Sequence, residues 1–310
     1  MSERGAPLFG PVPRVSVVCC SYNGSEFIED TIRSVLGQSF EDFELIVFDD
    51  CSDDDTVARV CAMNDPRITV HSAEQRLNIG QARSAALSRV RGEWIAFIDQ
   101  DDLWTEHKLR HQLALVDGGD DDRVGIVYGR TKKFGAVKGT TNFDPWYVRS
   151  ALPSGDIFAE LLARPAFVAL SSALIRRIAI EDVGAIPEWV VYCPDYFLFL
   201  AIAKRWNVAS LEELCCLYRV HDASMSHVYA SHIHAEALAI IEALAEPEHA
   251  GIVRRRRKIA NTLIAIEQLR KHSYTEGFSR LVRDGSLSYF LGRSVYRKVR
   301  DIMNSRGEWA

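Results

Sequence analysis

The chain is 310 residues long, 47% hydrophobic and 25% charged, with a formal net charge of −5. That length supports one large domain with an appendage, and no uninterrupted apolar run approaches the roughly 18 residues a bilayer-spanning helix needs. The charge is divided unevenly: residues 251–310 hold fourteen Lys and Arg against five Asp and Glu, or +9, which leaves −14 on residues 1–250. An acidic body of that kind argues against nucleic acid and for an anionic ligand brought in by a divalent cation.

Residues 1–14 carry charge with no apolar core behind it, so a secretory leader is not expected. A strand over Val15–Cys20 ends in the turn Ser21, Tyr22, Asn23, Gly24. A helix follows in which Phe27, Ile28, Ile32, Val35 and Leu36 recur at helical spacing, with Ser25 as candidate cap. Strands over Phe43–Phe48 and Ile68–His71, a helix over Gln81–Arg89 and a strand over Trp94–Ile98 complete a βαβαβ rhythm, which predicts a parallel sheet with right-handed crossovers. Ligands of such sheets bind beyond the carboxyl ends of the strands.

Two of these strands end on acids. Asp49 and Asp50 close the second, and Asp99, Asp101 and Asp102 close the fourth in "WIAFIDQDDLW". The sheet rule brings both groups into one crevice. Carboxylates this close repel one another unless a cation lies among them, and hard oxygen ligands select Mg or Mn. The alternative is a run of first-turn acids favoured by the dipole of a helix over Leu103–Leu115. Neither a G-x-G-x-x-G loop nor a Walker loop is present, so a phosphate-bearing ligand would be held by metal, assisted by a cation such as Arg83 in "NIGQARSAAL". The seven cysteines, including the neighbours Cys19, Cys20 and Cys215, Cys216, show no CxxC spacing and read as small buried hydrophobes in a reducing cytosol rather than a zinc site.

Further along, Thr131–Asp156 reads as a loop rich in Gly, aromatics and charge, with Trp146 and Tyr147 either stacking surfaces for a ligand ring or anchors of the loop. "ALSSALIRRIAIEDVGAI" reads as a strand and helix beginning near Ser171 and Ser172, and Tyr196–Arg205 as a helix for which Asp195 is either cap or functional acid. His107 and His111, spaced i, i+4 without H-E-x-x-H, read as a polar helix face. Beyond Val228 only helical spacing persists, with Leu263, Ile264, Ile266, Leu287, Phe290 and Leu291 interleaved among basic residues. That pattern suits either a helical bundle or a peripheral helix on an anionic membrane face.

Six motifs in one order, "VSVVCCSYNG", "LIVFDDCSDDDT", "RLNIGQARSAAL", "FIDQDDLW", "CPDYFLFLAIA" and "LYRVHDASMS", resemble glycosyltransferase family 2 over about residues 13–226. The likeness is to bacterial surface-polysaccharide and spore-coat transferases. It implies an α/β GT-A fold, a Rossmann-like, mostly parallel sheet flanked by helices, with a catalytic domain over 1–227 and a basic helical region over 228–310. It further implies that Ser21, Tyr22, Asn23, Asp50, Arg83 and Asp99 bind nucleotide, that Asp101, Asp102 and His221 bind Mn or Mg, and that Asp195 is the catalytic base of an inverting displacement. Relatives usually carry Glu-Asp where this chain has Pro194-Asp195. The implied donor is a nucleotide diphospho-sugar, UDP foremost with dTDP or GDP open, and the acceptor a glycan or lipid-linked sugar. Function in the cytoplasm or at the inner membrane face, with membrane contact or oligomerisation through the C-terminal helices, is the accompanying expectation. An inactive sugar-nucleotide-binding scaffold would have lost these acids, and a nucleotidyltransferase should show a Gly-rich loop where "CSYNGSEF" stands.

Overall fold

The computed structural model describes residues 12–135, 151–164 and 167–270, together with Arg280. In chain order its elements are β1 (Val15–Ser21), α1 (Ile28–Leu36), β2 (Phe43–Asp49), α2 (Thr56–Ala62), β3 (Ile68–Ser72), α3 (Ile79–Leu87), β4 (Trp94–Phe97), β5 (Leu103–Trp104), α4 (Lys108–Asp117), β6 (Val124–Gly135), α5 (Phe158–Ala163), β7 (Ala173–Arg176), α6 (Arg177–Val183), α7 (Pro194–Ala203), β8 (Asn207–Val220), α8 (Met225–Val228), α9 (Ala230–Leu244) and α10 (Ala250–Arg270). The chain divides into two compact units, one of Met1–Phe158 with Ala166–His221 and the other of Ala159–Pro165 with Asp222–Ala310.

The first unit is built on an eight-stranded sheet in the order β3-β2-β1-β4-β7-β6-β8-β5. β1 pairs in parallel with β2 and β4, and β2 with β3. β7 runs antiparallel to both β4 and β6, while β6 and β8 are parallel and β5 is antiparallel to β8. Only β7 and β5 therefore oppose the rest, and the carboxyl ends of β1, β2, β4 and β8 share one edge. Val15, Val17, Leu45, Val47, Trp94 and Ala96 are buried beneath Ile28, Ile32 and Val35 of α1, as the near-continuous apolar runs of a sheet covered on both faces require.

The structure departs from the sequence reading at several places. Ser25 is not the cap of α1; its backbone N–H donates to Asp54 Oδ2 at 3.0 Å, and the helix opens with Phe27 and Ile28 donating to the carbonyl of Gly24. α3 begins at Ile79 because Asn78 and Gln81 form a reciprocal capping box. Leu103 and Trp104 are not helical but pair with Leu217 and Cys216 across β8. The Trp104 indole N–H donates to the Ser171 carbonyl at 2.7 Å inside the core, so tertiary pairing overrides the local helical pattern. α4 starts only at Lys108, and the first-turn reading of the acids loses its helix.

Thr131–Gly135, read as loop, is the end of the twelve-residue β6, whereas Trp146, Tyr147 and the rest of "NFDPWYV" lie outside the described residues. The expected strand and helix after Ser172 are β7 and α6. Cys19, Cys193, Cys215 and Cys216 are buried, but Cys20 and Cys51 are half-buried and Cys61 is exposed, so burial does not extend to every thiol. In the second unit α9 and α10 pack on each other, and Ala237, Ile240 and Ile241 of the first and Ala260, Ile264 and Ala265 of the second are buried. Leu263 lies on the exposed side, and Leu287, Phe290 and Leu291 lie outside the described residues. No helix among the described residues is long and apolar enough to cross a membrane.

Candidate active site

The turn after β1 is stapled from both sides. The Tyr22 backbone N–H donates to Gln100 Oε1 at 2.9 Å, and Gln100 Nε2 donates back to the Tyr22 carbonyl at 3.1 Å. The Asn23 N–H donates to Ser52 Oγ, while its side-chain oxygen accepts from the Asp53 N–H. A Cβ at Gly24 would come within 2.4 Å of Gln100 Oε1, so a larger residue there would have to displace the Gln100 side chain from this staple. Ser21 is buried, with its hydroxyl directed to Asp49 Oδ1 at 3.3 Å. Of the three turn residues, Tyr22 is the one with an exposed ring.

After β2 the two acids part. Asp49 is turned into the protein, where it accepts from the Ser52 N–H at 3.0 Å and the Ser52 hydroxyl at 2.5 Å. Asp50 accepts from the Leu77 N–H at 2.7 Å and from the guanidinium of Arg76, which also lies 3.4 Å from the centre of the Tyr22 ring. Burial pushes the Asp50 carboxyl above the usual range, against the pull of the Leu77 N–H and Arg76.

After β4 the acids part again. Arg83, 7% exposed, donates to Asp99 Oδ1 at 2.9 Å and lies 3.9 Å from Asp195 Oδ1. Burial opposes the arginine's charge, but Asp99 and Asp195 outweigh it and hold it cationic. Asp195 follows Pro194 in the first turn of α7, whose cap position is Cys193. Its carboxyl is raised, mainly by burial and further by Asp99, against the Arg83 charge and the Tyr196 N–H.

Asp101 and His221 meet with His221 Nε2 and Asp101 Oδ2 2.8 Å apart. Burial and the neighbouring Asp99 raise the Asp101 carboxyl, a repulsion that a cation would relieve. A carboxylate oxygen beside an imidazole nitrogen is a donor pair suited to a divalent ion such as Mn. Among the described residues no group of three or more His, Cys, Asp or Glu side chains is placed to hold a metal.

Asp102 departs from its expected place. It is 0% exposed, and its oxygens accept from the Ser171 hydroxyl at 2.5 Å and the Arg219 N–H at 2.9 Å. Both are thus committed to the protein interior, and directly after this residue β5 pairs the chain onto β8. Ser171 Oγ also accepts from the Asp99 N–H at 3.1 Å. The Arg219 guanidinium, packed between the Phe27 and Phe134 rings at 4.5 and 4.6 Å, donates to the Asp101 carbonyl at 2.8 Å. Asp102, Ser171 and Arg219 together lock the loop that carries Asp101 to the strand that delivers His221.

Sequence reading missed Arg76, and it did not place Arg219 against Asp101 and Asp102. No local pattern marks either role, since each depends on partners distant in sequence. His107, the residue before α4, bonds Ser39 Oγ through Nδ1 at 2.9 Å, and its ring is 5.6 Å from His111.

Residues 16–184, more than half of the chain, match the family model described as Glycosyl transferase family 2. The chain is 29% identical over 214 residues, 68% of its length and 79% of the relative's, to the UDP-Glc:alpha-D-GlcNAc-diphosphoundecaprenol beta-1,3-glucosyltransferase WfgD of Escherichia coli. It is 26% identical over 310 aligned residues, 95% of its length and 88% of the relative's, to the succinoglycan biosynthesis protein ExoO of Rhizobium meliloti. Among solved structures, the mannosyltransferase PcManGT from Pyrobaculum calidifontis, in complex with GDP-Man and Mn2+, superposes with a TM-score of 0.63 at 18% identity, covering 94% of this chain and 81% of that one. The shared architecture is the GT-A fold.

Proposed function

The chain belongs to glycosyl transferase family 2, and from that premise we propose that it moves a sugar from a nucleotide diphospho-sugar to a glycan or lipid-linked acceptor in surface polysaccharide assembly, with inversion at the anomeric carbon. The observation that carries this reading is the Asp99–Arg83–Asp195 cluster, which couples a half-exposed carboxyl in the first turn of α7 to the loop bearing Asp101. In this reading Asp195 takes the proton of the acceptor hydroxyl. The hydroxyl oxygen bonds to the anomeric carbon from the face opposite the diphosphate, and the electron pair of the broken C–O bond stays on the leaving phosphate oxygen. Arg83 neutralises charge beside the donor and faces Asp195 as a counter-charge at 3.9 Å.

Asp101 and His221 are the residues that would hold a divalent cation, and the chemistry it supplies is charge neutralisation on the leaving diphosphate. Asp102 belongs to the frame behind them. Tyr22 and Asp50 would serve the base, with Ser21 and Asn23 shaping the turn beneath it. UDP is the favoured nucleotide, since WfgD is named for a UDP-sugar donor.

The test is a panel of UDP-, dTDP- and GDP-sugars with Mn and polyprenyl-diphosphate sugar acceptors, for the native chain and Asp195→Asn. The native chain transfers from one donor, and the variant binds that donor while losing roughly 100- to 10,000-fold in kcat, the usual weight of a general base. In the native chain kcat falls as pH drops through the Asp195 pKa, and the burial-raised carboxyl moves that limb above the range of an exposed aspartate. No donor bound or consumed by the native chain would sink the reading.

A further inference from the structure

The base end of the crevice is filled by the chain itself. The Arg76 guanidinium lies 3.4 Å from the centre of the Tyr22 ring, which leaves no room for another ring on that face. One nitrogen donates both to the Asp50 carbonyl, at 3.0 Å, and to Asp50 Oδ2. Asp50 Oδ1 is already taken by the Leu77 backbone N–H, and the residue is only 5% exposed. A nucleobase that stacks on Tyr22 and donates to Asp50 needs the two contacts Arg76 now makes. A guanidinium is planar and presents N–H donors in its plane, much as the imide edge of a pyrimidine does.

We propose that Arg76 is a built-in stand-in for the nucleobase, displaced from Tyr22 and Asp50 when the donor binds, so that this side chain sets both nucleotide affinity and base choice. The inference rests on the donor reading above. Displacement needs no refolding, because the Arg76 side chain is 48% exposed and swings from the rim into solvent. It does require a base that restores what Asp50 loses. Uracil, thymine and guanine bring a ring N–H; cytosine presents a ring acceptor to the carboxylate and would leave Oδ2 buried without a donor.

The experiment is calorimetric titration of the full chain with UDP, dTDP, GDP and CDP in the presence of Mn, for the native protein, Arg76→Ala and Arg76→Lys. Arg76→Ala binds the preferred nucleoside diphosphate about twofold to thirtyfold more tightly, the span expected from releasing a cation–π stack and a half-exposed ion pair. Arg76→Lys falls between the two, since an ammonium pairs with Asp50 but does not stack in plane. CDP remains the weakest ligand throughout. Equal or weaker binding by Arg76→Ala, with an unchanged thermal midpoint showing that it is folded, overturns the inference and leaves the donor reading standing. Absence of binding to all four by both the native chain and Arg76→Ala removes the donor reading and this inference with it.

Discussion

Two strand ends of this molecule carry paired acids, and the pairs are used differently. After β2, Asp49 turns inward to Ser52, three residues on, while Asp50 meets Arg76 at the crevice. After β4, Asp102 turns inward while Asp101 and Asp99 face His221 and Arg83. The inward carboxylates differ in reach. Asp49 shapes mainly its own turn, whereas the partners of Asp102 lie 69 and 117 residues away in sequence and join three separate parts of the chain. A row of acids at a strand end thus holds two kinds of group: one that builds the loop and one the loop presents.

The sharpest way to break this comparison is to exchange the two kinds after β4. On the proposed reading, in which Asp101 holds the cation, Asp101→Asn lowers Mn-dependent donor binding by about 100-fold or more and leaves urea unfolding unchanged. Asp102→Ala leaves the Ser171 hydroxyl and the Arg219 N–H without a buried acceptor, which costs about 3 kcal/mol of folding stability. Mn affinity in that variant falls by roughly 10- to 100-fold through the misplaced Asp101 loop. Manganese titration followed by spin resonance, beside urea unfolding, reads both. Loss of all Mn binding in Asp102→Ala with an unmoved unfolding midpoint would return Asp102 to the metal.

The same exchange after β2 has a smaller effect. Asp50→Ala weakens nucleoside diphosphate binding by roughly tenfold, the worth of one hydrogen bond to a charged acceptor. Asp49→Ala costs about 1–3 kcal/mol of stability through the Ser52 N–H and the Ser21 and Ser52 hydroxyls. Nucleotide affinity stays within about threefold of native in Asp49→Ala, since its hydrogen bonds stay within the protein. Calorimetry and chemical unfolding on the two variants separate these outcomes.

The order β1, α1, β2, β3, α3, β4 is legible because each element announces itself by local periodicity, and the site's residue types are legible because the acids stand where such strands end. The pairing of β5 with β8 is not, since two residues carry no period and their partners lie more than a hundred residues downstream. Nor is the direction of any one carboxylate. Ser171 and Arg219 turn Asp102 inward, and neither is near it in sequence. Arg76 stands in a loop whose only local signal is the capping box two residues later, and its opposition to Tyr22 and Asp50 exists only in space.

One cause of the split after β2 is local. Cys51, between the diverging Asp50 and Ser52, adopts φ = 58°, and this left-handed step lets Ser52 fold back onto Asp49. A residue with a Cβ pays about 1–2 kcal/mol there, partly offset by the Cys51 thiol donating to the Ala73 carbonyl at 3.1 Å. Cys51→Gly relieves the steric cost but gives up that contact and loosens the unfolded chain, so stability stays within about 1 kcal/mol of native and nucleotide affinity is unchanged. Cys51→Val places a β-branched side chain in the same step and costs about 1–3 kcal/mol, with nucleotide affinity falling alongside as Asp50 loses its bearing. If Cys51→Val keeps native stability and affinity, the left-handed step is not what parts the two carboxylates. The division of labour after β2 would then rest on the Ser52 and Leu77 hydrogen bonds alone, as that after β4 rests on Ser171 and Arg219.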